Sequence, residues 1–153
     1  MDETEYRQTY REVNKRKCAF EKAINARRCT CSQAKRFNLA DREGVACESD
    51  EAHESCVRLL NIMRQKASFS LQLTQVPGPL PHAKEVKVQI GGMLGIQALL
   101  YPEKNDADIA DDIHGLISKA TTKYNRLEAF PYTEIVKSVV KFQGRLRKHT
   151  RNK

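Results

Sequence analysis

The chain has 153 residues, of which 40% are hydrophobic and 30% charged, and a formal net charge of +8. That length and balance describe a soluble globular protein of about one domain, and they exclude a fibre and a membrane span. Aromatic residues make up only 7% and tryptophan is absent, so the core must be built from Leu, Ile, Val and Ala.

Taken in chain order, residues 4–28 predict a first helix. Tyr6, Tyr10, Val13, Phe20, Ala23 and Ile24 recur at three- or four-residue steps without an intervening Gly or Pro. Residues 33–43 predict a short second helix, with Ser32 as N-cap and Gly44 as its stop. Ser49 or Asp50 is expected to cap a third helix reaching about Leu73, with Cys56, Leu59, Leu60, Met63, Ala67 and Leu71 as its apolar stripe. The segment from Val76 to Ala83 holds three prolines and a glycine, which a helix cannot contain.

The stretch from Ala83 to Tyr101 is ambiguous. Val86, Val88 and Ile90 alternate as in a strand, whereas Val86, Ile90, Met93, Leu94 and Gln97 fit a helix. Gly91, Gly92 and Gly95 weaken an isolated helix but permit close backbone approach, so a buried helix ending before Pro102 is favoured. A further helix is expected from a cap at Asn105 or Asp106 to about Leu127, with Asp108, Asp111 and Asp112 in its first turns. A last helix runs from Tyr132 to about Lys148. The expected fold is therefore all-α. It is a small bundle of five or six helices in one domain (1–153), with a cysteine-bearing helical hairpin in an N-terminal half (1–75), a proline-rich connector (76–83) and a C-terminal half (84–153).

Phosphate-loop, dinucleotide, HExxH and EF-hand motifs are missing. No apolar run is long enough to span a membrane, and the N-terminal residues lack the apolar core of a secretory signal. A cytoplasmic location is the expectation.

The five cysteines, Cys18, Cys29, Cys31, Cys47 and Cys56, all fall in the first 56 residues, spaced C-x10-C-x-C-x15-C-x8-C. This is neither a paired CxxC zinc ribbon nor a ferredoxin run. Three readings compete. The first is a thiolate metal site, iron–sulfur ahead of zinc because five thiols exceed what tetrahedral zinc needs. Arg27, Arg28, Lys35 and Arg36 would flank it and stabilise thiolates. The second is a stapled hairpin, Cys18 to Cys56 and Cys29 to Cys47, which resembles in outline the twin C-x9-C hairpins of the mitochondrial intermembrane space but has spacings of ten and eight. The third treats the cysteines as apolar core thiols. Cys29, Cys31 and Cys47 lead as ligands. Cys18 and Cys56 cannot easily both join them if the first and third helices are long. His53, one turn before Cys56, is the histidine closest to the group.

Charge is unevenly spread. Residues 1–36 carry ten basic and five acidic side chains, and residues 132–153 carry seven and one. Lys137, Lys141, Arg145 and Lys148 form one basic face of the last helix. The expected function is a small metal-binding protein in electron transfer or redox sensing that docks an acidic protein partner through this face. A metal-free helical module binding nucleic acid or a protein is the alternative. No base or oxyanion motif suggests an enzyme.

Overall fold

The computed structural model describes residues 1–72 and 80–143. Most of the chain is helical, and a two-stranded antiparallel hairpin is inserted near the N-terminus. The helices are α1 (Glu3–Val13), α2 (Glu21–Asn25), α3 (Asp50–Ala67), α4 (His82–Val86), α5 (Gly92–Leu100), α6 (Ile113–Tyr124) and α7 (Tyr132–Lys141), and the strands are β1 (Ala34–Leu39) and β2 (Arg42–Cys47). Among the described residues no helix is long and apolar enough to cross a membrane.

The hairpin replaces the short second helix expected over residues 33–43. Ala40 and Asp41 both take positive φ, 52° and 69°, as a two-residue hairpin turn requires. Leu39 then faces Arg42, and Phe37 faces Gly44. A side chain at Gly44 would meet the Phe37 ring at 2.4 Å, so the glycine is the seat of that ring and not a helix stop. Tertiary contacts outweigh the helical propensity of residues 33–43. Val45 is fully buried, and its carbonyl accepts hydrogen bonds from the Cys18 backbone N–H at 2.9 Å and from Asn14 Nδ2 at 3.0 Å.

The same contacts end the first helix early. Lys17 bridges to Ala46, and the Cys47 N–H donates to the Arg16 carbonyl at 2.8 Å. Residues 14–20 therefore run beside β2 as two turns either side of the Lys17 bridge, and the helix expected over 4–28 becomes α1 and the single turn of α2. The cysteine-bearing helical hairpin is not formed, because only Cys56 lies on a helix.

The third helix starts where its cap predicts. Ser49 Oγ accepts the Ala52 N–H at 3.1 Å, satisfying one free amide of the first turn. Its stripe of Cys56, Leu59, Leu60, Met63 and Ala67 is buried, each large apolar side chain contributing about 1.5–3 kcal/mol. One hydrophobic cluster extends from Cys18 to Phe142 and draws on both halves.

Residues 82–100 are helical, with a π-helical stretch over Lys87–Gly91 joining α4 to α5. A Cβ at Gly91 would lie 2.7 Å from Val139 Cα on α7, so this glycine lets the two helix backbones touch. Beneath α4, Arg64 Nη2 and Glu85 Oε2 pair at 2.7 Å inside the core. Gln89 Nε2 donates to the same carboxylate at 2.8 Å, and its Oε1 accepts the Ala23 N–H at 3.0 Å. This polar chain ties α2, α3 and the π-helical stretch together.

The helix expected from Asn105 starts only at Ile113. Residues 108–112 instead lie alongside residues 28–32, with Cys29 and Ala110 in a parallel bridge. Asp108 and Asp111 thus precede the helix, and Asp112 occupies its cap position with φ 54°. In α7, Ile135 and Val139 are buried as the apolar face predicts, followed by Phe142. Arg145 and Lys148 lie outside the described residues.

Candidate functional site

Four of the five cysteines meet. Cys18 comes from the segment between α1 and α2, Cys31 from the loop before β1, Cys47 from the end of β2 and Cys56 from the second turn of α3. All four line one small cavity of about 10 Å³. Phe20, Ala34, Ala52 and Ile113 contribute apolar wall, and His53 also lines it. Cys18 and Cys56 are buried, while Cys31 and Cys47 are half-buried and form the side nearer solvent. All five cysteines are free thiols.

Cys18 and Cys56 join the same site because α1 stops at Val13. The expectation that they could not both join Cys31 and Cys47 assumed a long first helix, through residue 28, and that helix does not form. Cys29, a leading candidate ligand from spacing, does not line the cavity. It is 2% exposed and bridges to Ala110. A regular extended segment would put Cys29 and Cys31 on one face, but only Cys29 is held in a bridge, to Ala110, and of the Cys29-Thr30-Cys31 run only Cys31 lines the cavity. The staple pairing of Cys29 with Cys47 is accordingly absent. Without Cys29 the spacing is C-x12-C-x15-C-x8-C.

The thiols are desolvated and feel one another. Burial pushes the Cys18 thiol up to about 12; the Phe20 backbone N–H opposes the shift, and Cys31 and Cys47 add to it. Burial likewise raises Cys56, and Cys18, Cys31 and Cys47 all raise it further. For Cys31 burial again dominates, against the Gln33 and His114 backbone N–H groups that lie toward its sulfur. Burial pushes Cys29 up to about 12 as well. Such thiols are protonated at neutral pH and are poor nucleophiles. A metal ion would displace those protons on binding. As the side chains stand, no group of three His, Cys, Asp or Glu among the described residues is arranged to hold an ion.

Three of the four basic residues expected to flank the thiols, Arg27, Arg28 and Arg36, are engaged elsewhere. Arg27 forms a two-pronged contact with Glu43, at 3.1 and 2.8 Å, and Arg36 reaches the same carboxylate at 3.3 Å. Arg28 Nε donates to the Asp108 carbonyl at 2.7 Å, and its guanidinium stacks over Phe142. Nearer the cavity, Arg16 donates to the Cys47 carbonyl at 2.9 Å and pairs with Asp50 at 2.6 Å.

Sequence reasoning missed the parts that position Cys31. The Asp112 N–H donates to Thr30 Oγ1 at 2.9 Å, and Asp112 Oδ1 accepts the Ser32 N–H at 2.8 Å. The Ile113 N–H donates to the Thr30 carbonyl at 2.8 Å. These bonds join residues about 80 positions apart, and no local pattern announces them.

The second expected surface is partly described. Lys137 and Lys141 are exposed on α7 and border a groove of about 640 Å³ that includes Arg28, Lys104, Leu94 and Phe142. Asp106, Asp108 and Glu134 share that lining, so its charge is mixed. Lys137 pairs with Glu134 at 3.1 Å. Comparison of the chain with protein-family models, curated proteins and solved structures finds no match.

Proposed function

We propose that this is a metal-binding protein whose centre is held by the thiolates of Cys18, Cys31, Cys47 and Cys56, with an iron–sulfur cluster serving electron transfer or redox sensing. The observation that carries the reading is the convergence of four thiols from four separate chain segments on one cavity. An all-sulfur donor set suits iron–sulfur clusters. The half-buried side formed by Cys31 and Cys47 offers an edge through which electrons can pass. Loading requires the thiols to lose their protons and turn inward about χ1. Free thiols accord with a reducing, cytoplasmic compartment. Lys137 and Lys141 on α7 are the proposed contact for an acidic protein partner, with Arg145 and Lys148 following them in the sequence.

Zinc is the second reading, favoured by two observations. With Cys29 outside, four thiols match a closed tetrahedral zinc site. A cavity of about 10 Å³ also admits a single ion with less repacking than a cluster.

Anaerobic purification with metal analysis and a visible spectrum tests both. A brown protein containing iron and acid-labile sulfide supports the cluster. A colourless protein with one zinc per chain supports the second reading. A colourless protein with neither metal and five titratable thiols overturns both and leaves a metal-free helical module. Nucleic acid binding at low salt would then identify what that module binds.

A further inference from the structure

Residues 28–32 are held from one side by the segment before α6. The Thr30 N–H donates to the Ala110 carbonyl at 3.1 Å, the Ala110 N–H to the Arg28 carbonyl at 2.9 Å, and the Ile113 N–H to the Thr30 carbonyl at 2.8 Å. Asp112 closes this seam from both ends, donating its N–H to Thr30 Oγ1 and accepting the Ser32 N–H on its carboxylate. Cys31 lies between those two contact points. Asp112 takes a left-handed backbone, φ 54° and ψ 81°, a conformation that Asp and Asn tolerate far better than other side chains. Its carboxyl is held below its usual range; burial works against ionisation, but the Ser32 N–H and hydroxyl outweigh it.

Of the next two residues, one lines the cavity and the other approaches Cys31. Ile113 is part of the cavity wall, and the His114 N–H lies toward the Cys31 sulfur. Gly115 leaves room for the latch, since a Cβ there would come within 2.6 Å of Asp112 Oδ2.

We infer that Asp112 is the positioning residue of the proposed metal centre: by clasping Thr30 and Ser32 it sets the Cys31 sulfur over the cavity and against the start of α6. The inference rests on the thiolate-centre reading. It makes the C-terminal half a component of a site whose thiols all come from the N-terminal half. Groups hydrogen-bonded to metal ligands commonly change metal affinity by about 10–100-fold when removed.

The test is an anaerobic cobalt(II) titration of the reduced full-length protein, following the thiolate-to-cobalt absorption, for the unaltered chain, Asp112→Ala, Asp112→Asn and Gly115→Ala. Asp112→Ala removes the acceptor and strains the turn, and is expected to weaken cobalt binding about 10–100-fold with a smaller thiolate absorption. Asp112→Asn keeps an acceptor oxygen and tolerates the positive φ, so it recovers most of the loss. Gly115→Ala guards against simple misfolding. Alanine is a better helix former than glycine, so the apo protein stays folded while the new methyl group displaces the carboxylate and affinity drops. If Asp112→Ala and Gly115→Ala bind cobalt with unchanged affinity and spectrum while the unaltered chain binds well, the positioning role is wrong and the thiolate centre stands. If the unaltered chain takes up no cobalt, iron or zinc, the thiolate centre fails and this role with it.

Discussion

Replacing Cys29 and Cys56 separately by serine should separate a packing thiol from a ligand. Both are buried, at 2% and 7% exposure, so deletion of either has a stability cost before any metal is considered. At Cys29 the neighbouring backbone groups are already bonded to one another, Ala110 N–H to Arg28 C=O and Thr30 N–H to Ala110 C=O. A serine hydroxyl there lacks an obvious free partner, which costs about 1–3 kcal/mol. In a chain of this size each kcal/mol moves the melting temperature by about 2–4 °C, so apo Cys29→Ser should melt some 2–12 °C lower. Metal adds a second, opposite term. A ligand present at about 1,000 times its Kd stabilises the folded state by about 4 kcal/mol. Calorimetry of apo and metal-loaded protein should therefore show the full upward shift, about 8–16 °C, for the unaltered chain and for Cys29→Ser. Cys56→Ser should lose most of that shift, because one of four sulfurs is gone. Equal loss of the metal-induced shift in Cys29→Ser, or its full retention in Cys56→Ser, would refute the partition of the five thiols.

Two further outcomes follow from the core and the hairpin. Glu85 is 1% exposed and its carboxyl is held below the usual range, burial being outweighed by Arg64, Gln89 and the Leu80 N–H. Its contribution is fully present above the unfolded value near 4.5 and disappears as pH falls through the lower folded value. Glu85→Gln leaves the Arg64 charge buried without its counter-ion and should cost about 3–5 kcal/mol at pH 7, with a flatter acid limb in a pH series of denaturant melts; an unchanged midpoint and limb would refute it. Ala40→Gly relieves a positive φ of 52° and should raise the denaturation midpoint by the equivalent of about 0.5–1 kcal/mol. A loss of stability there would mean that the turn is not held in the left-handed region.

Some elements were legible because their signals are local. Ser49 followed by an apolar stripe placed the start of α3, and the Ile135 and Val139 spacing gave the buried face of α7. The stretch with three glycines was correctly favoured as a helix for close approach, since Gly91 abuts the Val139 backbone. Other elements depend on distant partners. Residues 33–43 look helical by propensity, and they become a hairpin because β2 is fastened to residues 14–18. The helix expected from Asn105 is pre-empted by the pairing of Ala110 with Arg28 and Thr30. The site followed the same division. Confinement of the cysteines to residues 18–56 marked the stretch of chain that supplies the four thiols of the cavity. Which thiols meet depended on where α1 ends and on which way each residue of Cys29-Thr30-Cys31 points, and neither is written in the spacing.

That dependence also explains why the cysteines match no short metal motif. A CxxC pair works because one tight turn presents both sulfurs, so spacing is fixed by local geometry. Here each sulfur of the cavity stands on a different piece of structure: a connecting segment, a loop, a strand end and a helix turn. The intervals of twelve, fifteen and eight residues are therefore the lengths needed to travel between elements. A centre assembled this way is created by the fold, and binding free energy is then folding free energy for the whole assembly. Joining ligands distant in sequence also removes loop freedom from the unfolded chain in the way a long cross-link does. In the proposed centre the seam from Arg28 to Ser32, bonded to Asp112 at the start of α6, is the route by which this coupling would extend to the C-terminal half. Metal loading should thus protect the amides of Ala110 and Ile113 from hydrogen exchange as well as those of β2. Protection confined to residues before 57 would show that the C-terminal half is a bystander to the centre.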